Sequence, residues 1–149
     1  DENKMLTITD RKKEIFKLSG GKYVAPQPVE NHFKESQFIE QIMVVGENEK
    51  FTAALIIPNY EYLHNWCSLH DVTFQDNHDL IKKQKIIDRY QTEVDKYNIE
   101  FDHVAQIKVF RLIADLWTAD NGMLSPTQKL KRKVVIKEYS KVLDEIYEK

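Results

Sequence analysis

The residues best suited to chemistry fall in two groups of cations. The first is Arg11, Lys12, Lys13, Lys17 and Lys22, threaded through a stretch that turns at Ser19-Gly20-Gly21 between Leu18 and Tyr23-Val24. Adjacent glycines between apolar flanks predict a hairpin tip, because glycine takes a positive φ without a Cβ clash. Backbone N–H groups at such a tip can approach a ligand closely, and the cations add a positive potential. Residue types alone leave two readings open: an anion or cofactor site, and a solvated hairpin. The second group is Lys129, Lys131, Arg132, Lys133 and Lys137, which follows Leu124-Ser125-Pro126-Thr127-Gln128. Cations at a helix start oppose the macrodipole, so a phosphate or a partner domain would account for them. A solvated helix start is the plain alternative. No aromatic side chains suited to base stacking stand beside the burst, which disfavours nucleic acid.

Other constellations carry less. His64, Cys67 and His70 share one predicted helix, but His70 lies about 240° around from His64, so one metal ion does not reach all three. A Cys–His catalytic pair lacks an orienting partner. These residues are assigned to packing or surface, Trp66 and Trp117 to the core rather than to a ligand platform, and His32, His78 and His103 receive no role. The sequence holds neither a Gly-x-x-x-x-Gly-Lys-Ser/Thr phosphate loop nor a serine nucleophile elbow.

A chain of 149 residues, 42% hydrophobic and 31% charged, is one domain able to bury a core. Its net charge of −2 gives no global basic field. A single cysteine, Cys67, excludes an internal disulfide and suits a reducing compartment. No apolar run approaches the ~18 residues of a membrane span. The polar start and the initial Asp1 suggest a piece of a longer protein. Pro28 is expected at the first position of a helix ending near Ser36, with Glu30 favouring its dipole. Ile39–Val45 and Phe51–Pro58 predict an antiparallel pair, the second strand central because Ala53 to Ile57 is almost wholly apolar. Asn59 is expected to cap a helix to His70. A second helix runs from about Asp79 to Asn98, with Ile87, Tyr90, Val94, Tyr97 and Phe101 as its buried stripe. Ile107–Leu116 predicts another strand, Asp120-Asn121-Gly122 a turn, and the segment after Pro126 an extended loop. A last helix starts near Arg132, with Val135, Tyr139, Val142 and Ile146 on one face. The fold class is α+β: a small mixed sheet with packed helices plus an N-terminal β-hairpin.

Three blocks carry a resemblance: Thr9–Tyr23, Ile39–Pro58 and Leu124–Arg132. The first resembles the hinge and hairpin of the AMP-forming acyl-CoA synthetases, in the form Thr-Asp-Arg-Lys-Lys-Glu-Ile-Phe-Lys of the long-chain fatty acid–CoA ligase branch. The third is similar to that branch's Leu-Thr-Pro-Thr-x-Lys-Leu-Lys-Arg. By this resemblance the chain is the small, mobile C-terminal domain of an adenylate-forming enzyme. Residues 1–12 are then the tail of the large domain and hinge approach, and residues 13–149 the mobile domain.

The resemblance implies two half-reactions. A fatty acid carboxylate attacks ATP to give acyl-AMP and pyrophosphate, and the thiol of coenzyme A then attacks acyl-AMP. It further implies that Lys129 serves adenylation, Lys13 is the hinge, Arg11 reaches the nucleotide, and Gly20, Gly21 and Lys22 line the path of coenzyme A. ATP, Mg²⁺ and coenzyme A belong to the full-length enzyme; no metal ligand and no bound cofactor are expected in this chain, which is inactive by itself. Its implied partner is its own N-terminal adenylation domain, and its implied location is cytoplasmic, with peripheral membrane association by analogy. Gln128 stands where many members have glycine, and Lys13 where many have aspartate. Two rival readings are the small domain of an enzyme adenylating another carboxylic acid, and a non-catalytic interaction module.

Overall fold

The computed structural model describes residues 14–148. The domain boundary after residue 12, Arg11 and Lys13 lie outside the described residues. Two short strands open the chain, β1 (Phe16–Lys17) and β2 (Tyr23–Val24), paired antiparallel as Phe16 with Val24 and Lys17 with Tyr23. Helix α1 (Pro26–Phe33) leads to β3 (Ile39–Val45), which turns back into β4 (Ala53–Pro58). Three helices follow, α2 (Tyr60–Leu69), α3 (Asn77–Leu80) and α4 (Gln84–Asn98), before β5 (Val109–Leu112). Helices α5 (Arg132–Glu138) and α6 (Ser140–Tyr147) end the described chain.

The main sheet has the order β3-β4-β5, antiparallel across β3–β4 and parallel across β4–β5. It is therefore mixed, with β4 central, as its apolar run predicts. Alternate residues of the inner strands point to opposite faces. Ile42, Val44, Ala54 and Ile56 join a core with Val29 and Phe33 of α1, Leu63 and Cys67 of α2, and Tyr90 and Val94 of α4. Met43, Val45, Leu55 and Ile57 face the other way, toward Trp117, Met123, Val135 of α5 and Ile146 of α6. Both faces are covered, which explains why β4 reads as continuous apolar sequence rather than as alternation.

Several boundaries differ from expectation. Pro26, not Pro28, takes the first turn's lead, because Ala25 is the extended N-cap. Pro28 still fits, since the first turn's N–H groups have no intrahelical partner. With the helix starting at Pro26, Glu30 lies beyond the first turn rather than in it; it is 4% exposed and ion-paired. The expected helix from Asp79 is two helices. Asp76 caps α3 by accepting from Asp79 N at 2.8 Å, and Lys83 is extended before α4. The break lets Leu80 and Ile86 both reach the core, whereas six residues along one helix would set them about 120° apart. Tyr139 interrupts the last helix in the same manner, closing α5 and opening α6. Asn59 caps α2 as expected, accepting from Tyr62 N at 3.1 Å. Among the described residues no helix is long and apolar enough to cross a membrane.

Candidate functional site

The loop that carries Lys129 is a compact turn, not the extended segment expected after Pro126. Leu124 and Leu130 face each other in an antiparallel bridge. Inside it, Ser125 N donates to Lys129 O at 2.8 Å and Gln128 N to Ser125 O at 2.8 Å. Lys129 N in turn donates to Ser125 Oγ at 3.1 Å. Pro126 forbids only the α region at Ser125; the serine hydroxyl and the left-handed Gln128, at φ 68°, then close the turn. Lys129 is thus held at both its N–H and its C=O while its side chain is exposed. Gln128 adopts the backbone that a glycine would favour, so the loop keeps its shape without one.

This loop forms one wall of a cleft of about 670 Å³ lined by Glu14, Glu30, Lys34, Gln128, Lys129 and Lys133, among others. Arg132, at the start of α5, is no free cation. Its Nη1 and Nη2 donate to the two oxygens of Glu30 at 2.7 Å each, and its Nε donates to Glu14 Oε1 at 3.0 Å. Burial opposes the charge on Arg132, but the hydrogen bonds and fields of Glu30 and Glu14 outweigh it and hold the guanidinium charged, above its ordinary range. Part of the basic burst is therefore answered inside the domain, while Lys129, Lys131 and Lys133 remain exposed to solvent.

The glycine hairpin forms as predicted. Gly21 N donates to Leu18 O at 2.9 Å and Leu18 N to Lys22 O at 2.8 Å, and Gly21 has φ 94°. A Cβ at Gly20 or Gly21 would meet nothing within 4 Å, so the tip is open. The hairpin is docked on the β3–β4 turn through Ser19 N to Glu49 O and Asn48 N to Lys17 O, both 2.8 Å. Gly46 permits this approach: a Cβ there would lie 2.9 Å from Phe16 Cε1 and 3.2 Å from Phe51 O. None of Gly20, Gly21 and Lys22 lines the cleft beside Lys129. The hairpin tip and the Lys129 loop therefore do not share this cleft.

Sequence reasoning missed Glu14, Glu30 and Arg132 as a set, and Gly46. An acidic residue between Val29 and Phe33 on a core-facing helix was the available signal for Glu30, because a buried carboxylate requires a cation. Of the two tryptophans expected in the core, Trp117 is buried there and Trp66 is partly buried at its edge. Trp117 is 1% exposed and its Nε1 donates to Tyr139 Oη at 3.1 Å. His64 hydrogen-bonds Asn77, His70 stacks on Trp66, and Cys67 is buried, its thiol pushed up by burial. Among the described residues no group of three or more His, Cys, Asp or Glu side chains could hold a metal ion.

Fold and site together define a small α+β domain that offers a lysine loop beside a cleft and a glycine hairpin tip outside it. The chain belongs to the AMP-binding enzyme C-terminal domain family, whose profile matches residues 13–149. The long-chain-fatty-acid–CoA ligase FadD15 of Mycobacterium tuberculosis is 36% identical over 150 residues, covering 100% of this chain and 25% of that protein. Long-chain-fatty-acid–CoA ligase 1 of Homo sapiens is 34% identical over 151 residues, covering 97% of the chain and 21% of that protein. The chain thus spans about a quarter of the length of the curated relatives it matches. Among solved structures, the adenylation domain of a carboxylate reductase from Mycobacterium chelonae superposes with a TM-score of 0.70 at 25% identity, covering 93% of this chain and 20% of that one.

Proposed function

We propose that the chain is the mobile C-terminal domain of a long-chain-fatty-acid–CoA ligase and that Lys129 is its adenylation residue. The observation that carries this is the Ser125–Lys129 turn, which fixes the backbone of Lys129 at both ends and leaves its ammonium exposed at the cleft mouth. In adenylation the carboxylate oxygen attacks the α-phosphorus of ATP, and the bond to pyrophosphate breaks. Negative charge concentrates between the two reacting groups, and a preorganised cation there stabilises the transition state. In the second step the thiol of coenzyme A attacks the acyl carbon, AMP leaves, and the thiol proton is lost. The open Gly20–Gly21 tip would then face the shared pocket, with room beside it for the pantetheine arm. Arg11 would contact the nucleotide and Lys13 would serve as the pivot between steps. ATP brings Mg²⁺ with it, and the described residues offer no carboxylate cluster to hold that ion. The pocket for the acyl chain and the adenine lies in the partner N-terminal domain, where the choice of acid is made. We place the reaction in the cytoplasm, with any membrane contact peripheral.

The test uses the full-length enzyme and separates the half-reactions. Lys129→Ala should slow pyrophosphate release from ATP and palmitate by roughly a hundred- to a thousandfold, the usual cost of one preorganised donor. Coenzyme A thioester formation from supplied palmitoyl-AMP should run near the parent rate. Lys131→Ala should be mild in both assays. Full pyrophosphate release by Lys129→Ala would refute the assignment, and its loss in Lys131→Ala instead would shift the register by two residues.

A further inference from the structure

Arg132 joins three parts of the domain: α1 through Glu30, β3 through the Glu30–Val44 hydrogen bond, and the segment that begins at Glu14. Its fork takes both oxygens of Glu30 at 2.7 Å, and Glu30 Oε2 also accepts from Val44 N at 2.8 Å. The guanidinium is thereby registered against β3 of the main sheet. On its other edge, Nε and Nη2 both reach Glu14 Oε1 at 3.0 Å. Glu14 directly follows residue 13, and Arg132 lies three residues beyond Lys129. The Glu30 arm neutralises a buried carboxylate, a requirement of folding. The Glu14 arm is different. Its carboxylate is 37% exposed, and pairs of that kind add little to stability. Its geometry is specific all the same, because the planar fork fixes direction as well as distance.

We propose that Arg132 is a positioning residue that locks the Lys129 loop to the segment just beyond the pivot, so that loop and pivot move as one body. This rests on the reading of Lys129 and of residue 13 given above. Rotation at residue 13 then reaches Lys129 without slack. A lysine at 132 cannot hold two carboxylates in fixed directions, and the loop would arrive off target.

The test uses the full-length enzyme with Arg132→Lys and Glu14→Gln, each alone and each combined with Lys129→Ala. Arg132→Lys should slow pyrophosphate release by about tenfold to a hundredfold, the cost of misplacing a group by about an ångström. Glu14→Gln, which removes an exposed carboxylate and leaves the core intact, should slow it in the same direction but less. Thioester formation from supplied palmitoyl-AMP should stay near the parent rate in both, which structural damage would not spare. In the Lys129→Ala background neither substitution should slow adenylation further, because both act through that side chain. Equal loss of both half-reactions, no loss in either variant, or full additivity with Lys129→Ala would overturn the inference. Should Lys129→Ala itself leave pyrophosphate release intact, the assignment of Lys129 falls, and this inference with it. Additivity on a strongly impaired Lys129→Ala background would overturn the inference alone.

Discussion

Gln128 holds φ at 68° directly before the lysine on which adenylation is proposed to depend. A left-handed residue with a Cβ costs roughly 1–2 kcal/mol, and glycine escapes that cost while losing about 0.5–1 kcal/mol in chain entropy. The two terms nearly offset, so Gln128→Gly should leave both the melting temperature and pyrophosphate release close to the parent. Gln128→Val should not, since a β-branched residue resists positive φ more strongly. It should slow pyrophosphate release by about tenfold through displacement of Lys129. Equal rates for the glycine and valine variants would show that the turn does not position Lys129. The identity of this turn was legible in the order Ser125-Pro126-Thr127-Gln128-Lys129; its closed shape was not. Pro126 limits the residue before it, but the closure depends on a serine hydroxyl meeting an N–H four residues on.

At the scale of elements, the β1–β2 hairpin owes its place to the β3–β4 turn. Two backbone hydrogen bonds and the bare Cα of Gly46 seat Phe16 and Leu18 against it. Gly46→Ala would push a methyl group into Phe16 and the carbonyl of Phe51, a clash worth about 1–3 kcal/mol. The strain is relieved by moving the hairpin, so the thioester step should slow more than adenylation, and the melting temperature should drop. A change confined to adenylation would contradict the hairpin's proposed part in the thioester step. Hairpins and helix caps were readable because their signals are local: Gly20-Gly21 for one, Asn59 for the other. The break between α3 and α4 was not, because it answers to a distant demand, the burial of both Leu80 and Ile86 on one side. Periodicity alone favoured a continuous helix through Ile87 and Tyr90.

At the scale of the whole described chain, the three-stranded sheet carries helices on both faces, and three of those helices are tied by tyrosine hydroxyls to residues that flank its strands. Tyr60 of α2 donates to Ile113 O at 2.7 Å, Tyr90 of α4 to Phe38 O at 2.7 Å, and Tyr147 of α6 to Phe51 O at 3.0 Å. No single-sequence signal marks these ties, since each joins residues 52 or more apart. Burial pushes all three phenols up, with smaller contributions from Asp115 at Tyr60, from Tyr60 and Glu93 at Tyr90, and from Glu49 at Tyr147. The unfolded chain therefore loses these protons first, near the ordinary tyrosine value of about 10. Below that pH both states keep the proton and the full stability is present. Above it the unfolded state binds fewer protons than the folded one, and stability falls by about 1.4 kcal/mol per pH unit for each tyrosine until the folded pKa is passed. Urea unfolding of the chain should thus lose stability steeply above about pH 10. The decisive comparison is Tyr90→Phe, because the Tyr90 side chain is fully buried. At neutral pH the variant should be about 1 kcal/mol less stable, having lost one hydrogen bond. Its alkaline slope should be shallower by one tyrosine's share, so that the gap to the parent narrows as the pH rises. A gap that stays constant from neutral pH through the alkaline range would mean that Tyr90 ionises equally in both states, and that burial does not hold its proton.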